Sequence, residues 1–132
     1  MSEDYFKDFD GWNNIKQKID KKDRKIFYHE KEIWWVSMGV NVGSEQDGKG
    51  EMFVRPVLIY KKTKGGLFIG IPITSTLKDD SINIAFYFEY DLHTALIFQL
   101  KSYDSKRLIR KFGSISDYLY YKMKKAVILF LS

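Results

Sequence analysis

Apolar and polar positions change rhythm near residue 31, and that change divides the chain. Between residues 8 and 22, Phe9, Trp12, Ile15 and Ile19 recur close to the 3.6-residue period with lysines between them, which predicts a short amphipathic helix. Asp8 or Asp10 stands where a cap belongs. Lys21-Lys22-Asp23-Arg24-Lys25 is a polar joint into the main body. From there the texture is that of strands, read at 32–36, 53–62, 67–74, 82–89, 94–101 and 107–112. The fourth alternates well, through Ile82, Ile84, Phe86 and Phe88. A loop rich in Gly, Asn, Ser and Asp covers 39–50. The chain closes with a helix over 116–130, capped by Ser114 or Ser116, with Leu119, Met123, Ala126, Val127 and Phe130 facing inward. Short strands followed by a terminal helix predict a mainly β fold, a small and strongly bent antiparallel barrel, with an added N-terminal helix. The division is residues 1–29 as a helical extension and 30–132 as the barrel domain.

The second and third strands are joined by Thr63-Lys64-Gly65-Gly66. Whether the loop is Lys64-Gly65 or all four residues, paired positions keep one offset, and Arg55 falls opposite Thr74. A Gly65-Gly66 turn would instead bring Arg55 to Thr76. Directly opposed residues share a face of the sheet, so Arg55 and Thr74 are expected to point the same way at the open end of the hairpin.

Composition narrows the classes. An apolar share of 45% is too high for disorder, and 132 residues suffice for one domain with its own core but not for two domains. With no cysteine, disulfides and thiolate metal sites are excluded. His29 and His93 are distant in sequence, which argues against a structural zinc, and each reads as structural rather than catalytic. The acidic start Met-Ser-Glu-Asp is unlike a signal peptide, and the apolar run 126–131 is too short to cross a bilayer, so a soluble cytoplasmic protein is expected. Net charge is +5, and the first thirty residues balance. The excess sits between Lys101 and Lys125, where eight bases face only Asp104 and Asp117. Such a stripe fits a polyanion partner or, more plainly, a solvated face.

Arginine stays charged at physiological pH, and its planar fork matches two phosphate oxygens. Beside a threonine hydroxyl it can stabilise charge growing on phosphorus. The reaction that suits such a pair is metal-free RNA cleavage in which the substrate's own 2′-OH attacks the adjacent phosphate, a nucleophile DNA lacks. The plainer reading pairs Arg55 with Glu45 or Glu51. Glu45 and Gln46 either hold Arg55 and contact bases or form a surface turn. Gln99, followed by Lys101, either lines the same pocket or is an inert strand end. Trp34 and Trp35 point to opposite faces, one into the core and the other outward, to a dimer contact or a stacked base.

Several short motifs occur in the order found in MazF/PemK (Kid-like) toxins. They are Glu32-Ile33-Trp34-Trp35-Val36, Asn41-Val42-Gly43-Ser44-Glu45-Gln46, Arg55-Pro56-Val57-Leu58-Ile59, Ile73-Thr74-Ser75 and Gln99-Leu100-Lys101-Ser102. The chain resembles that family over roughly residues 30–130. The resemblance implies an SH3-like barrel and a homodimeric, cofactor-free type II toxin. It further implies an endoribonuclease that cuts single-stranded mRNA to 2′,3′-cyclic phosphate and 5′-hydroxyl ends, and is bound by a cognate antitoxin. It puts catalysis on Arg55 and Thr74, and groove shaping and RNA contact on Glu45, Gln46, Ser75, Gln99 and Lys101. The general base is left unassigned, and His93 does not fall on a family histidine. Residues 49–54 lengthen the join between the Gly-Ser-Glu-Gln loop and Arg-Pro compared with compact members, which bears on base preference. The alternatives are a CcdB-like barrel that poisons DNA gyrase by binding, or a non-catalytic RNA- or peptide-binding barrel.

Overall fold

The computed structural model describes residues 7–20, 26–38, 54–76 and 82–132. Helix α1 (Phe9–Asp20) is followed by β1 (Glu32–Ser37), β2 (Val54–Lys62), β3 (Leu67–Thr74), β4 (Ile84–Phe88) and β5 (Asp91–Ala95). A 3-10 turn (Ile97–Gln99), β6 (Lys101–Asp104), a second 3-10 turn (Ser105–Arg107), β7 (Leu108–Ser114) and helix α2 (Asp117–Leu131) complete the chain. The strands form one curled antiparallel sheet in the order β4-β5-β3-β2-β1-β7, with β6 also paired to β3. It is a half-barrel with a helix at each end of the chain.

Alternation along the strands makes two cores. Ile33, Leu58, Ile71, Ile73, Ala95 and Ile97 lie on the face covered by α2, against Met123 and Val127. Trp34, Val36, Val57, Ile59, Phe68, Tyr103 and Leu108 fill the other face, closed by Tyr28. Helix α2 starts where Ser116 Oγ accepts from the Leu119 amide at 3.1 Å, a side-chain cap of the ordinary kind. Its five expected inward residues all pack on the first core. Helix α1 begins at Asp8, whose Oδ1 accepts from the Gly11 amide at 2.9 Å. Trp12 and Ile19 are buried beneath it, while Phe9 is more than half exposed.

Two sequence expectations need correction. The single strand expected over 94–101 is broken: Leu96 donates its amide to the Pro72 carbonyl at 2.9 Å, and Gln99 donates back to Leu96 O. That 3-10 turn redirects the chain, so β5 and β6 pair with different ends of β3. The hairpin offset also differs near its turn. Lys62 faces Phe68 and Lys61 faces Ile69, one residue away from the expected offset. Thr63 closes the loop by donating to Leu67 O, and both Gly65 and Gly66 have φ of +78°, a region that suits glycine. Tyr60 is then bulged out of the ladder, and the expected offset returns at Ile59↔Gly70, Leu58↔Ile71 and Val57↔Pro72. The Tyr60 carbonyl is taken by the Tyr120 hydroxyl of α2 at 2.7 Å, so the bulge doubles as a docking point for the helix.

No helix among the described residues is long and apolar enough to cross a membrane.

Candidate active site

Arg55 is the second residue of β2, directly opposite Val36 of β1, and is half-buried. Val36 and Val57 both belong to the second core, so Arg55 emerges at the rim of that face. Thr74 ends β3 and is paired with Thr94 of β5. The β2–β3 ladder stops at Val57↔Pro72. Extended by two residues at the same offset, Arg55 falls opposite Thr74, and strand alternation turns both to one face. The two strands part there, each bonding outward, β2 to β1 and β3 to β5.

Thr74 is more enclosed than an open hairpin end suggests, at 5% exposure. Its Oγ1 accepts from the Thr76 amide at 3.2 Å. A hydroxyl both donates and accepts, so this bond occupies a lone pair and keeps the proton for donation. Thr94, also buried, places a second hydroxyl in the same row, and its Oγ1 finds no hydrogen-bond partner among the described residues. Sequence reading missed Thr94. Its only signal is the β3–β5 pairing, which no local pattern announces.

The remaining predicted residues are spread out. Ser75 is exposed in the bend after Thr74. Gln99 is half-buried in the 3-10 turn anchored to Pro72, two residues before Thr74. Lys101 is exposed and faces Gly70, with Nζ 5.1 Å from the Tyr103 ring centre. Gly70 lies four positions before Thr74 on β3, a rise of about 13 Å. Glu45 and Gln46 lie outside the described residues, as does Glu51.

The basic third of the sequence does not make one stripe. Lys122, Lys124 and Lys125 sit over Tyr118, Tyr120 and Tyr121 on α2. Arg110 lies over Trp35, which stacks on Phe112 at 4.9 Å, while Trp34 is buried. Lys111 pairs with Glu32 at 3.1 Å. Desolvation pushes the Glu32 carboxyl up, but bonds from Trp34 Nε1, the His29 amide and Lys111 outweigh it and hold the group below its ordinary range. His93 is packed between Phe86 and Phe88, on the face of β5 opposite Thr94. His29 is exposed beside Glu32. Neither histidine shares the row of Arg55 and Thr74.

A family model for the PemK-like, MazF-like toxin of type II toxin-antitoxin systems matches residues 29–131. The chain belongs to this family. Solved structures agree in fold. MazF from Deinococcus radiodurans superposes with a TM-score of 0.66 at 18% identity, over 81% of this chain and 98% of that one. MazE-MazF from the same organism gives 0.63 at 14%, over 82% and 98%. A mycobacterial endoribonuclease in complex with its cognate antitoxin gives 0.61 at 11%, over 80% and 95%. No curated protein sequence matches the chain at a significant level. Helix α1 precedes the matched segment.

Proposed function

We propose that this toxin is a metal-independent endoribonuclease that cleaves single-stranded mRNA. What supports the reading is the register at one rim of the second core: Arg55 faces Val36, Thr74 faces Thr94, and the β2–β3 offset, continued past Val57↔Pro72, brings Arg55 and Thr74 into one row. Family membership supports it. In the reaction, the ribose 2′-oxygen forms a bond to phosphorus, its proton leaves, and the bond from phosphorus to the 5′-oxygen breaks. The departing oxygen takes up a proton. The products are a 2′,3′-cyclic phosphate and a 5′-hydroxyl. Arg55 grips two non-bridging oxygens, and the Thr74 hydroxyl donates to the charge that grows on them. The nucleophile comes from the substrate, so the protein supplies mainly positioning and charge stabilisation. Regulation by a cognate antitoxin and action as a homodimer complete the reading. One similar solved structure is of a mycobacterial endoribonuclease in complex with its cognate antitoxin, and another is of MazE-MazF from Deinococcus radiodurans.

The test is incubation of the purified toxin with a long single-stranded RNA in EDTA, with end-group analysis of the products. Cyclic phosphate and 5′-hydroxyl ends are expected. Intact RNA, or cleavage only after divalent metal is restored, refutes the proposal.

A further inference from the structure

Helix α1 does more than cover apolar surface. With the 3-10 turn Ser105–Arg107 it flanks an open cleft of about 410 Å³, lined by Lys16, Gln17, Ile19, Asp20, Asp104, Lys106 and Arg107. The size lies at the small end of the range for small-molecule sites. Its three bases exceed its two acids by one charge, which matches a single phosphodiester. Arg107 is held in place from two sides: Nη1 donates to Ser37 O at 3.2 Å, and the guanidinium lies 5.4 Å from the Trp12 ring centre. Lys106 Nζ donates to Asp20 O at 3.2 Å and ties the end of α1 to the turn.

The cavity is at the same end of the sheet as the candidate active site. Leu108, next to Arg107, faces Val36, and Val36 faces Arg55. Two strand spacings, about 10 Å, separate those rows. We propose that the cleft between α1 and the Ser105–Arg107 turn is a subsite for a flanking nucleotide of the RNA strand, contributed by the helix outside the family-matched segment. This rests on the endoribonuclease reading. Lys16 and Arg107 take the phosphate, and the Asp20 and Asp104 carboxylates accept from base amino groups. An ionised acidic side chain offers those carboxylates no donor, whereas a nucleobase does, which favours RNA over an acidic protein partner.

The test uses Lys16 and Gln17, both exposed on α1. Lys16→Glu and Gln17→Ala are compared with the parent toxin on a 12-nucleotide substrate and on the shortest oligonucleotide that is still cut. For Lys16→Glu, KM on the long substrate rises at least about fivefold with kcat unchanged, and the short substrate is unaffected. The slope of log affinity against log salt falls by about 0.7, as for one lost phosphate contact on a single strand. Equal effects on both lengths, or no effect on either, overturn the subsite. So does weakened antitoxin binding with unchanged RNA affinity. If the toxin cuts no RNA, fluorescence anisotropy on the intact 12-nucleotide strand still decides: unchanged affinity in Lys16→Glu rejects the cleft, whereas loss of cleavage alone rejects only the reading of Arg55 and Thr74.

Discussion

Thr74 and Thr94 are cross-strand partners whose hydroxyls meet different fates. One accepts from the Thr76 amide; the other is buried without a partner among the described residues. A buried hydroxyl left unsatisfied carries a desolvation cost with no return. Thr94→Val, close in shape, is therefore expected to raise stability by about 1 kcal/mol. Urea unfolding checks it, and a clear fall in the midpoint would show that the hydroxyl is satisfied in solution.

Arg55 and Thr74 separate by the chemistry they bring. Arg55→Ala and Thr74→Ala are each expected to lower kcat at least about a hundredfold, the scale of removing one donor to a developing oxyanion. Arg55→Lys keeps the charge but not the two-pronged fork, so it should recover only part of that loss. Single-turnover cleavage by each variant measures this, and full activity in Arg55→Ala would remove the pair from the mechanism.

Glu32 should govern part of the acid limb of stability. Its carboxylate accepts from the His29 amide at 2.8 Å and Trp34 Nε1 at 2.9 Å, with Lys111 Nζ at 3.1 Å. Its folded pKa is lowered, so the contribution is present above the unfolded value, about 4.3, and is lost as pH falls through the folded one. Unfolding midpoints should therefore drop below about pH 4 in the parent, and the drop should be shallower in Glu32→Gln. Parallel pH profiles for the two would contradict this.

Gly70 sits where the second core leaves no room for a side chain. A Cβ there would stand 2.6 Å from Val57 Cγ1 and 3.0 Å from both Phe68 Cε2 and Tyr103 Cε2. Gly70→Ala is expected to cost about 1–3 kcal/mol through overpacking. Chemical denaturation reads it directly, and an unchanged midpoint would mean that the rings move aside at little cost.

How much of this was legible beforehand depends on the range of the interaction. The periodic segments were plain: α2 turns to the first core the five residues its spacing selects, and β3 runs over the residues expected. The hairpin offset was right beyond the bulge and wrong before it. Tyr60 leaves the ladder, its carbonyl bonded to Tyr120 sixty residues away, and no local pattern encodes that partner. The broken fifth strand has the same origin, because residues 94–101 are apolar enough for one strand and only the competing ends of β3 divide them.

By itself the sequence determined the mainly β class, the two helices and the inward face of α2, since periodicity and capping act over a few neighbouring residues. It also pointed to Arg55 and Thr74. Only the tertiary structure placed Thr94 beside Thr74, spread Lys101 and the other C-terminal bases over separate surfaces, and formed the cleft beside α1. Those arrangements depend on which strands become neighbours in space, and that choice is made by burying the whole sheet at once.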